Sequence, residues 1–178
     1  GISPNLVLVS RAVNAVTDAV DRLNNTFNVN MKHDDFVSSI RDITSKLREM
    51  FAESTDVLGQ MPEERRKEVE MTEALIGNDM RQMGKVVQQV VDNTNNPSYH
   101  IYRREVVRIA KEMAVNCTNF LSLFENRNRV KLPDFRAQSS MGAEYKLSQW
   151  AMLFASDLEA NVHFTAVLRP SFSMVTCM

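Results

Sequence analysis

The hydrophobic and polar positions of this 178-residue chain alternate with a helical rhythm in four successive segments. Within each segment the apolar positions are spaced alternately three and four residues apart, which places them on one face of an α-helix. A helix with one apolar face must cover it, and four such helices can cover one another in a bundle. The stripe positions, in chain order, are Leu6, Val9, Val13, Val16, Val20, Leu23 and Phe27; Phe36, Ile40, Ile43, Leu47 and Met50; Val69, Thr72, Ile76, Met80, Met83, Val87 and Val90; and Tyr102, Val106, Ile109, Met113, Cys117, Phe120 and Phe124.

Polar stretches, two of them containing proline, separate the four segments. Asn24, Asn25 and Asn28 to Asn30 are predicted to break the first helix into a loop, and Pro62 to divide the second helix from the third. A further loop is predicted to end at Pro97, after which Ser98 can cap the fourth helix. Because short connections make neighbouring helices antiparallel, the sequence predicts an all-α, antiparallel up-down-up-down four-helix bundle with a C-terminal extension.

The bundle and the extension are expected to divide the chain near residue 131. We predict that the bundle spans residues 1–131 and that the extension spans 132–178. One more amphipathic helix is predicted at 141–162, around Trp150, and the rest of the extension is predicted to be irregular. Because the chain opens with Gly1 rather than methionine, we expect it to be a fragment of a longer protein.

Composition and charge exclude several classes of function. The chain has 21 Lys and Arg against 22 Asp and Glu, which argues against nucleic-acid binding. It contains no run of about 18 apolar residues, so membrane insertion is not predicted. Phosphate-binding loops, dinucleotide-binding turns and metal-ligand spacings are also missing, so we predict no cofactor, no metal site and no catalytic residues in this segment. The sequence leaves a disulfide between Cys117 and Cys177 open, and a reducing compartment is the simpler interpretation.

The third helix carries two glycines that predict a trough between it and the second helix. Gly77 and Gly84 are seven residues apart and therefore lie on the same side. Each interior glycine costs about 1 kcal/mol relative to alanine, so a pair on one face requires a reason. One reason is a shallow apolar trough with a basic rim, which would accept an acidic amphipathic helix. The other is that the two glycines only allow close helix packing. The predicted partner-binding residues are Ile40, Arg41, Thr44 and Arg48 on the second helix and Met80, Arg81, Gly84, Lys85 and Gln88 on the third.

Short motifs in three of the four segments resemble a known family. The third segment contains Glu68-Val69-Glu70-Met71, then Leu75-Ile76 and Asn78-Asp79-Met80, and the fourth contains Ala114-Val115-Asn116-Cys117-Thr118-Asn119-Phe120-Leu121. The second, from Asp34-Asp35-Phe36-Val37 through Lys46-Leu47-Arg48, runs in step with them. Together they resemble the focal adhesion targeting (FAT) domain, which closes the focal adhesion kinase family of non-receptor tyrosine kinases. The resemblance covers roughly residues 4–129.

The resemblance implies a non-catalytic docking module that localises a parent tyrosine kinase at focal adhesions, in the cytoplasm at the cell cortex. It implies that the partners are paxillin-type adaptors, whose LD motifs are short helices rich in leucine and aspartate, with talin-like adhesion proteins as a second class. The family's basic docking residues on the second helix correspond to Arg41 and Arg48, and an apolar neighbour to Ile40. Gly84 stands where the family has an isoleucine in the groove floor.

The family's second docking face, on the first and fourth helices, is expected to be altered. Asp18 and Asp21 stand where the family has lysine and isoleucine, and Thr118 replaces a lysine. Acids at this face would repel the carboxylates of an LD motif. Ser10 stands where the family has a phosphorylated tyrosine, so that switch is expected to be absent.

Two alternatives accompany this interpretation. The chain is either a docking module that stays folded on binding or a vinculin- or talin-rod-like structural bundle that binds partners by exchanging helices. The extension either docks in cis into the trough or is a frayed segment without that role. The stripe behind the cis hypothesis is Leu147, Trp150, Leu153, Phe154 and Leu158, flanked by Asp157 and Glu159.

Overall fold

A computed structural model describes residues 4–125 of the chain. Four α-helices follow one another: α1 (Pro4–Thr26), α2 (His33–Gly59), α3 (Glu63–Asp92) and α4 (Ser98–Glu125). The described residues contain no strand, and the predicted all-α four-helix bundle is confirmed. The predicted helix at 141–162, with the rest of 126–178, lies outside the described residues.

The helices pack antiparallel along the chain. Arg22, near the end of α1, pairs with Asp42 in the first half of α2 at 3.1 Å. At the opposite end of the bundle, an Nη atom of Arg65 in the first turn of α3 donates to the carbonyl oxygen of Leu123 in the last turn of α4 (2.6 Å). The chain therefore runs up, down, up and down, and α1 begins at the end where α4 finishes.

The predicted stripes form the core of the bundle. Every stripe position is buried except Leu6, Phe27, Met80 and Tyr102, and these four are partly buried against the same core. Burial of one large aliphatic side chain stabilises a fold by roughly 1.5–3 kcal/mol. The shared core therefore explains why four helices with modest intrinsic stability remain folded together.

The end of α1 differs from the sequence prediction. The loop predicted from the asparagine-rich stretch is present at Asn28 to Asn30, but α1 continues through Asn24 and Asn25 to Thr26. Leu23 is buried, and its carbonyl oxygen accepts a hydrogen bond from the backbone N–H of Phe27 (2.8 Å), which packs on the core. Packing of these two side chains overrides the weak preference of asparagine against the helix interior.

The starts of α3 and α4 follow local chemistry. Pro62 directly precedes α3, and Glu63 and Glu64 place acids in its first turn, where the helix dipole favours them. At α4 the cap is Asn96 rather than the predicted Ser98. The carboxamide oxygen of Asn96 accepts a hydrogen bond from the backbone N–H of Ser98 (2.9 Å), because a capping side chain must come from before the first helical turn.

An aromatic cage closes the end of the bundle where α2 and α4 begin. The guanidinium of Arg103 lies 5.3, 4.9 and 5.0 Å from the ring centroids of Phe27, Phe36 and Tyr99, respectively. Its Nη2 donates to the carbonyl oxygen of Met31 at 2.9 Å, and the residue is 1 % exposed. One buried cation thus holds together the α1–α2 connection, α2 and α4.

A hydrogen bond between side chains supports this cage. Nδ1 of His33 lies 2.9 Å from the hydroxyl oxygen of Tyr99. Burial lowers the pKa of His33; the charge of Asp34 raises it, and that of Arg103 lowers it. Near neutral pH this histidine is therefore expected to be uncharged, which suits a position beside a buried arginine.

Candidate functional site

The side of the bundle between α2 and α3 is wider than its other sides. Close backbone packing joins α1 to α2, α1 to α4 and α3 to α4. The α2 and α3 backbones do not pack this closely, so side chains rather than adjacent backbones must fill the space between them. A groove between two helices is the site type that accepts a third helix.

Contacts to α4 show which flank of α3 faces α2. Asp79 accepts a hydrogen bond from Asn116 of α4 (2.7 Å), so its flank of α3 faces α4. Glu73, Gly77 and Gly84 lie on the other side of the α3 core stripe and therefore on the flank that faces α2. Gly77 is buried and Gly84 is half-buried.

Contacts to α1 orient α2 in the same way. Asp42 pairs with Arg22 of α1, which marks the α1 side of α2. Arg41, Thr44 and Arg48 lie across the core stripe from Asp42 and therefore face α3. We name the surface formed by Arg41, Thr44 and Arg48 with Glu73, Gly77, Met80, Arg81, Gly84, Lys85 and Gln88 the α2/α3 trough.

The residues predicted on α2 take different positions in the trough. Ile40 is 1 % exposed and belongs to the core, so it supports the trough from below. Arg41 and Thr44 are half-buried, and the hydroxyl of Thr44 donates to the carbonyl oxygen of Ile40 (3.0 Å). Arg48 is exposed. The walls are therefore polar, and only Arg48 among these residues extends fully into solvent.

The residues predicted on α3 complete the rim and the floor. Met80 is half-buried against the core, whereas Arg81 and Lys85 are exposed. Gln88 is half-buried, and its carboxamide donates to the carboxylate of Asp92 (2.9 Å). Together with Arg48, the two exposed cations give the trough a basic rim, which suits an acidic partner.

A pair of buried acids in the trough was missed in the sequence. Glu73 is 1 % exposed, and neither of its carboxylate oxygens has a hydrogen-bond partner among residues 4–125. Burial raises the pKa of Glu73 well above its usual value of 4.5, and the charge of Glu70, also buried, raises it further. The available signal was position: Glu73 follows Val69 by four and precedes Ile76 by three, which is the spacing of the core stripe.

The opposite face, between α1 and α4, has a different character. A shallow, open cavity of about 390 Å³ lies there, and Val115 beside it is 61 % exposed. One of the cavity's three basic residues, Arg108, is paired with Glu105 and Glu112 on its own helix. The cavity is lined by Asn24, Arg104, Val107, Arg108, Lys111, Glu112 and Val115.

The altered residues of this face are placed as expected from their helices. Asp18 and Asp21 are exposed on α1, and Thr118 is exposed on α4, where its hydroxyl donates to the carbonyl oxygen of Ala114 (3.1 Å). On α1 this face therefore presents the acids Asp18 and Asp21, whereas the cavity wall on α4 includes the cations Arg104, Arg108 and Lys111.

The described part of the chain lacks the features of three other kinds of site. Residues 4–125 contain no group of three or more His, Cys, Asp or Glu side chains able to hold a metal ion. None of the four described helices is long and apolar enough to cross a membrane. Cys117 is buried in the core, and burial raises the pKa of its thiol far above the usual value, so it is not a reactive nucleophile.

Comparisons with known proteins agree with the geometry. The sequence model of the focal adhesion targeting region matches residues 7–139. The chain is 42 % identical over 109 residues to a protein of Caenorhabditis elegans named inactive tyrosine-protein kinase kin-32. That alignment covers 61 % of this chain but only 13 % of the relative. No solved structure matches the chain.

Proposed function

Because this chain belongs to the focal adhesion targeting family, a family of non-catalytic docking modules, we propose that it binds LD-motif helices of paxillin-type adaptors in the α2/α3 trough. The family accounts for docking and targeting to focal adhesions. The choice of LD motifs as the partner rests on the resemblance to that family, and the choice of face rests on the α2/α3 trough. Since the chain covers a small part of its kinase-like relative, we also propose that it localises a longer chain of that kind at integrin adhesions, on the cytoplasmic side.

The observation that carries this proposal is the basic-rimmed surface between α2 and α3, two neighbouring helices whose backbones do not pack closely. An amphipathic helix can lay its apolar face over Met80 and Gly84 and direct its carboxylates to Arg48, Arg81 and Lys85. Such an interface is small, below about 1,200 Å², and suits a transient contact. A micromolar dissociation constant, about 8 kcal/mol, is expected.

The face between α1 and α4 is not proposed as the primary site. Asp18 and Asp21 would repel an acidic helix, and Arg108 is occupied by ion pairs with Glu105 and Glu112. Talin-like adhesion proteins remain a second class of partner that the trough proposal does not require.

An NMR titration of the isotopically labelled chain with an LD-motif peptide tests the proposal. Chemical-shift changes are expected at Thr44, Arg48, Lys85 and Gln88, with the dispersion of the bundle preserved. Loss of signals throughout the four helices would instead support a vinculin- or talin-like bundle that opens to exchange helices. Shifts confined to the region of Lys111 would place binding on the α1/α4 face and contradict the proposal.

Charge reversal on the rim provides a quantitative test. Arg48→Glu should weaken peptide binding by about fivefold or more, because an exposed ion pair is worth up to about 1 kcal/mol and the variant also adds repulsion. Arg104→Glu is the matched control, since Arg104 is an exposed arginine on the opposite face. Equal losses for the two variants would indicate a general charge effect rather than a specific site.

A further inference from the structure

The described chain finishes at the end of the bundle from which the α2/α3 trough opens. Arg65 in the first turn of α3 donates to the carbonyl oxygen of Leu123, so α4 ends next to the start of α3. The α2/α3 trough opens from this same end of the bundle, where α2 finishes at Gly59 and α3 begins at Glu63. Glu125, the last described residue, therefore lies at the same end of the bundle as one end of the trough.

The extension contains a segment with the chemistry that the trough selects. Leu147, Trp150, Phe154 and Leu158 are three and four residues apart, the spacing of one helical face. Residues 147–162 include two acids and no lysine or arginine, so the segment is net negative. This segment lies beyond residues 7–139, the range that the family matches. It is therefore an addition to the targeting region and not one of its four helices.

Glu73, in the floor of the trough, lacks a hydrogen-bond donor for its carboxylate within the described part of the chain. Glu73 is buried without a hydrogen-bond partner among residues 4–125. Buried polar groups in native structures are nearly always paired, and the unpaired ones require an explanation. The segment carries side-chain N–H donors at Gln149 and at Trp150, the latter within its apolar stripe.

We propose that residues 147–159 bind the α2/α3 trough of the same molecule as an acidic amphipathic helix and compete with outside partners for it. This inference takes one element from the proposed function, the identity of the outside partner that competes for the trough. The cis contact itself depends on the exit point, the charges and the apolar stripe. The extension would act as a built-in competitor that sets how much adaptor is needed to occupy the domain.

The linker length makes such competition effective. A flexible chain with the length of residues 126–146 has a root-mean-square span of about 25 Å, comparable with the length of the trough. Tethering at this distance gives an effective concentration on the order of 1 mM. A segment with an intrinsic dissociation constant of about 0.1 mM would then occupy the trough most of the time and weaken outside binding about tenfold.

Trp150 is the only tryptophan of the chain, so its fluorescence reports the contact directly. The experiment uses the full chain, with and without the rim substitutions Arg48→Glu and Lys85→Glu together. In the wild-type protein Trp150 emission should be blue-shifted, and the double variant should shift it to the red. Arg104→Glu is the control and should leave it unchanged. The cis contact is overturned if Trp150 of the wild-type protein emits at the wavelength of a fully exposed tryptophan. It is also overturned if the emission wavelength is the same in the wild-type protein and in the double variant.

Competition is measured with a labelled LD-motif peptide that lacks tryptophan. The double variant Phe154→Ser, Leu158→Ser should bind the peptide about tenfold more tightly than the wild-type chain does. In the wild-type chain, the peptide should shift Trp150 emission to the red.

Equal peptide affinity for wild type and variant overturns the competition but leaves the proposed function standing. A peptide that binds neither chain contradicts the proposed function, and the response of Trp150 to the rim variant still decides the cis contact. A Trp150 shift that disappears on dilution assigns the segment to a second copy and overturns the cis arrangement.

Discussion

Glu73 is a position where one substitution should change stability in a pH-dependent way. Its carboxyl is 1 % exposed and has no hydrogen-bond partner among the described residues. Burial, followed by the charge of Glu70, raises the pKa of Glu73 well above 4.5. Between pH 4.5 and the pKa in the folded state, the folded protein therefore binds more protons than the unfolded chain does. The free energy of unfolding should fall as pH rises through this window.

The magnitude follows from the release of a single proton. One extra proton held by the folded state gives a slope of at most about 1.4 kcal/mol per pH unit. Glu73→Gln keeps the shape of the side chain but removes its titration. The buried carboxamide adds a constant cost of about 1–3 kcal/mol, which does not depend on pH. The slope, rather than the absolute stability, is therefore the diagnostic quantity.

Urea denaturation followed by circular dichroism at several pH values between 4 and 8 measures this slope. The stability difference between Glu73→Gln and wild type should move in favour of the variant as pH rises. Glu64→Gln, an exposed acid at the start of the same helix, is the matched control and should follow the wild-type curve. Parallel curves for Glu73→Gln and wild type would refute the claim that Glu73 is held protonated by burial.

Three further predictions follow from other buried groups. Arg103→Lys should lower the free energy of unfolding by about 2 kcal/mol in urea titrations, because lysine lacks the planar group that stacks on three rings. Asn116→Ala should cost about 1 kcal/mol in the same assay, because the carboxylate of Asp79 loses its hydrogen-bond donor. In a Cys177→Ser background, Cys117 should react with iodoacetamide at pH 8 only as fast as the bundle unfolds, because burial keeps its thiol protonated and covered.

Each of these predictions has a matched control. Arg104→Lys alters an exposed neighbour of the caged arginine and should leave stability within about 0.5 kcal/mol of wild type. Ser122→Ala removes a hydroxyl that bonds only within α4, and it is the comparison for Asn116→Ala. Labelling of Cys117 that outpaces unfolding would show that the α3/α4 side of the core opens locally.

The bundle was predictable because its signal is repeated and local. Each stripe extends over several turns, so an error at one position does not change the face to be buried. The end of α1 was not predictable from Asn24 and Asn25, because the helix is extended there by the burial of Leu23 and Phe27. That burial depends on contacts with α2, and local preferences do not contain it.

The candidate site was predictable in part. Charge and spacing placed Arg48, Arg81 and Lys85 on exposed positions, as the structure has them. Burial of Glu73 and Arg103 was not foreseen, since charged residues are rarely buried and each depends on distant partners. Arg103, for example, donates to a carbonyl 72 residues earlier in the chain. Spacing also did not show that the α2/α3 side is the wide side of the bundle.

The antiparallel path has a mechanical consequence. Because α1 begins at the end of the bundle where α4 finishes, a force applied through Pro4 and Glu125 loads the α1/α4 contact from that end. The two helices would be peeled apart one turn at a time rather than sheared along their whole length. Rupture under load is governed by the unfolding rate, and peeling breaks few contacts at each step. A domain of this topology that is pulled through both ends should therefore yield at low force.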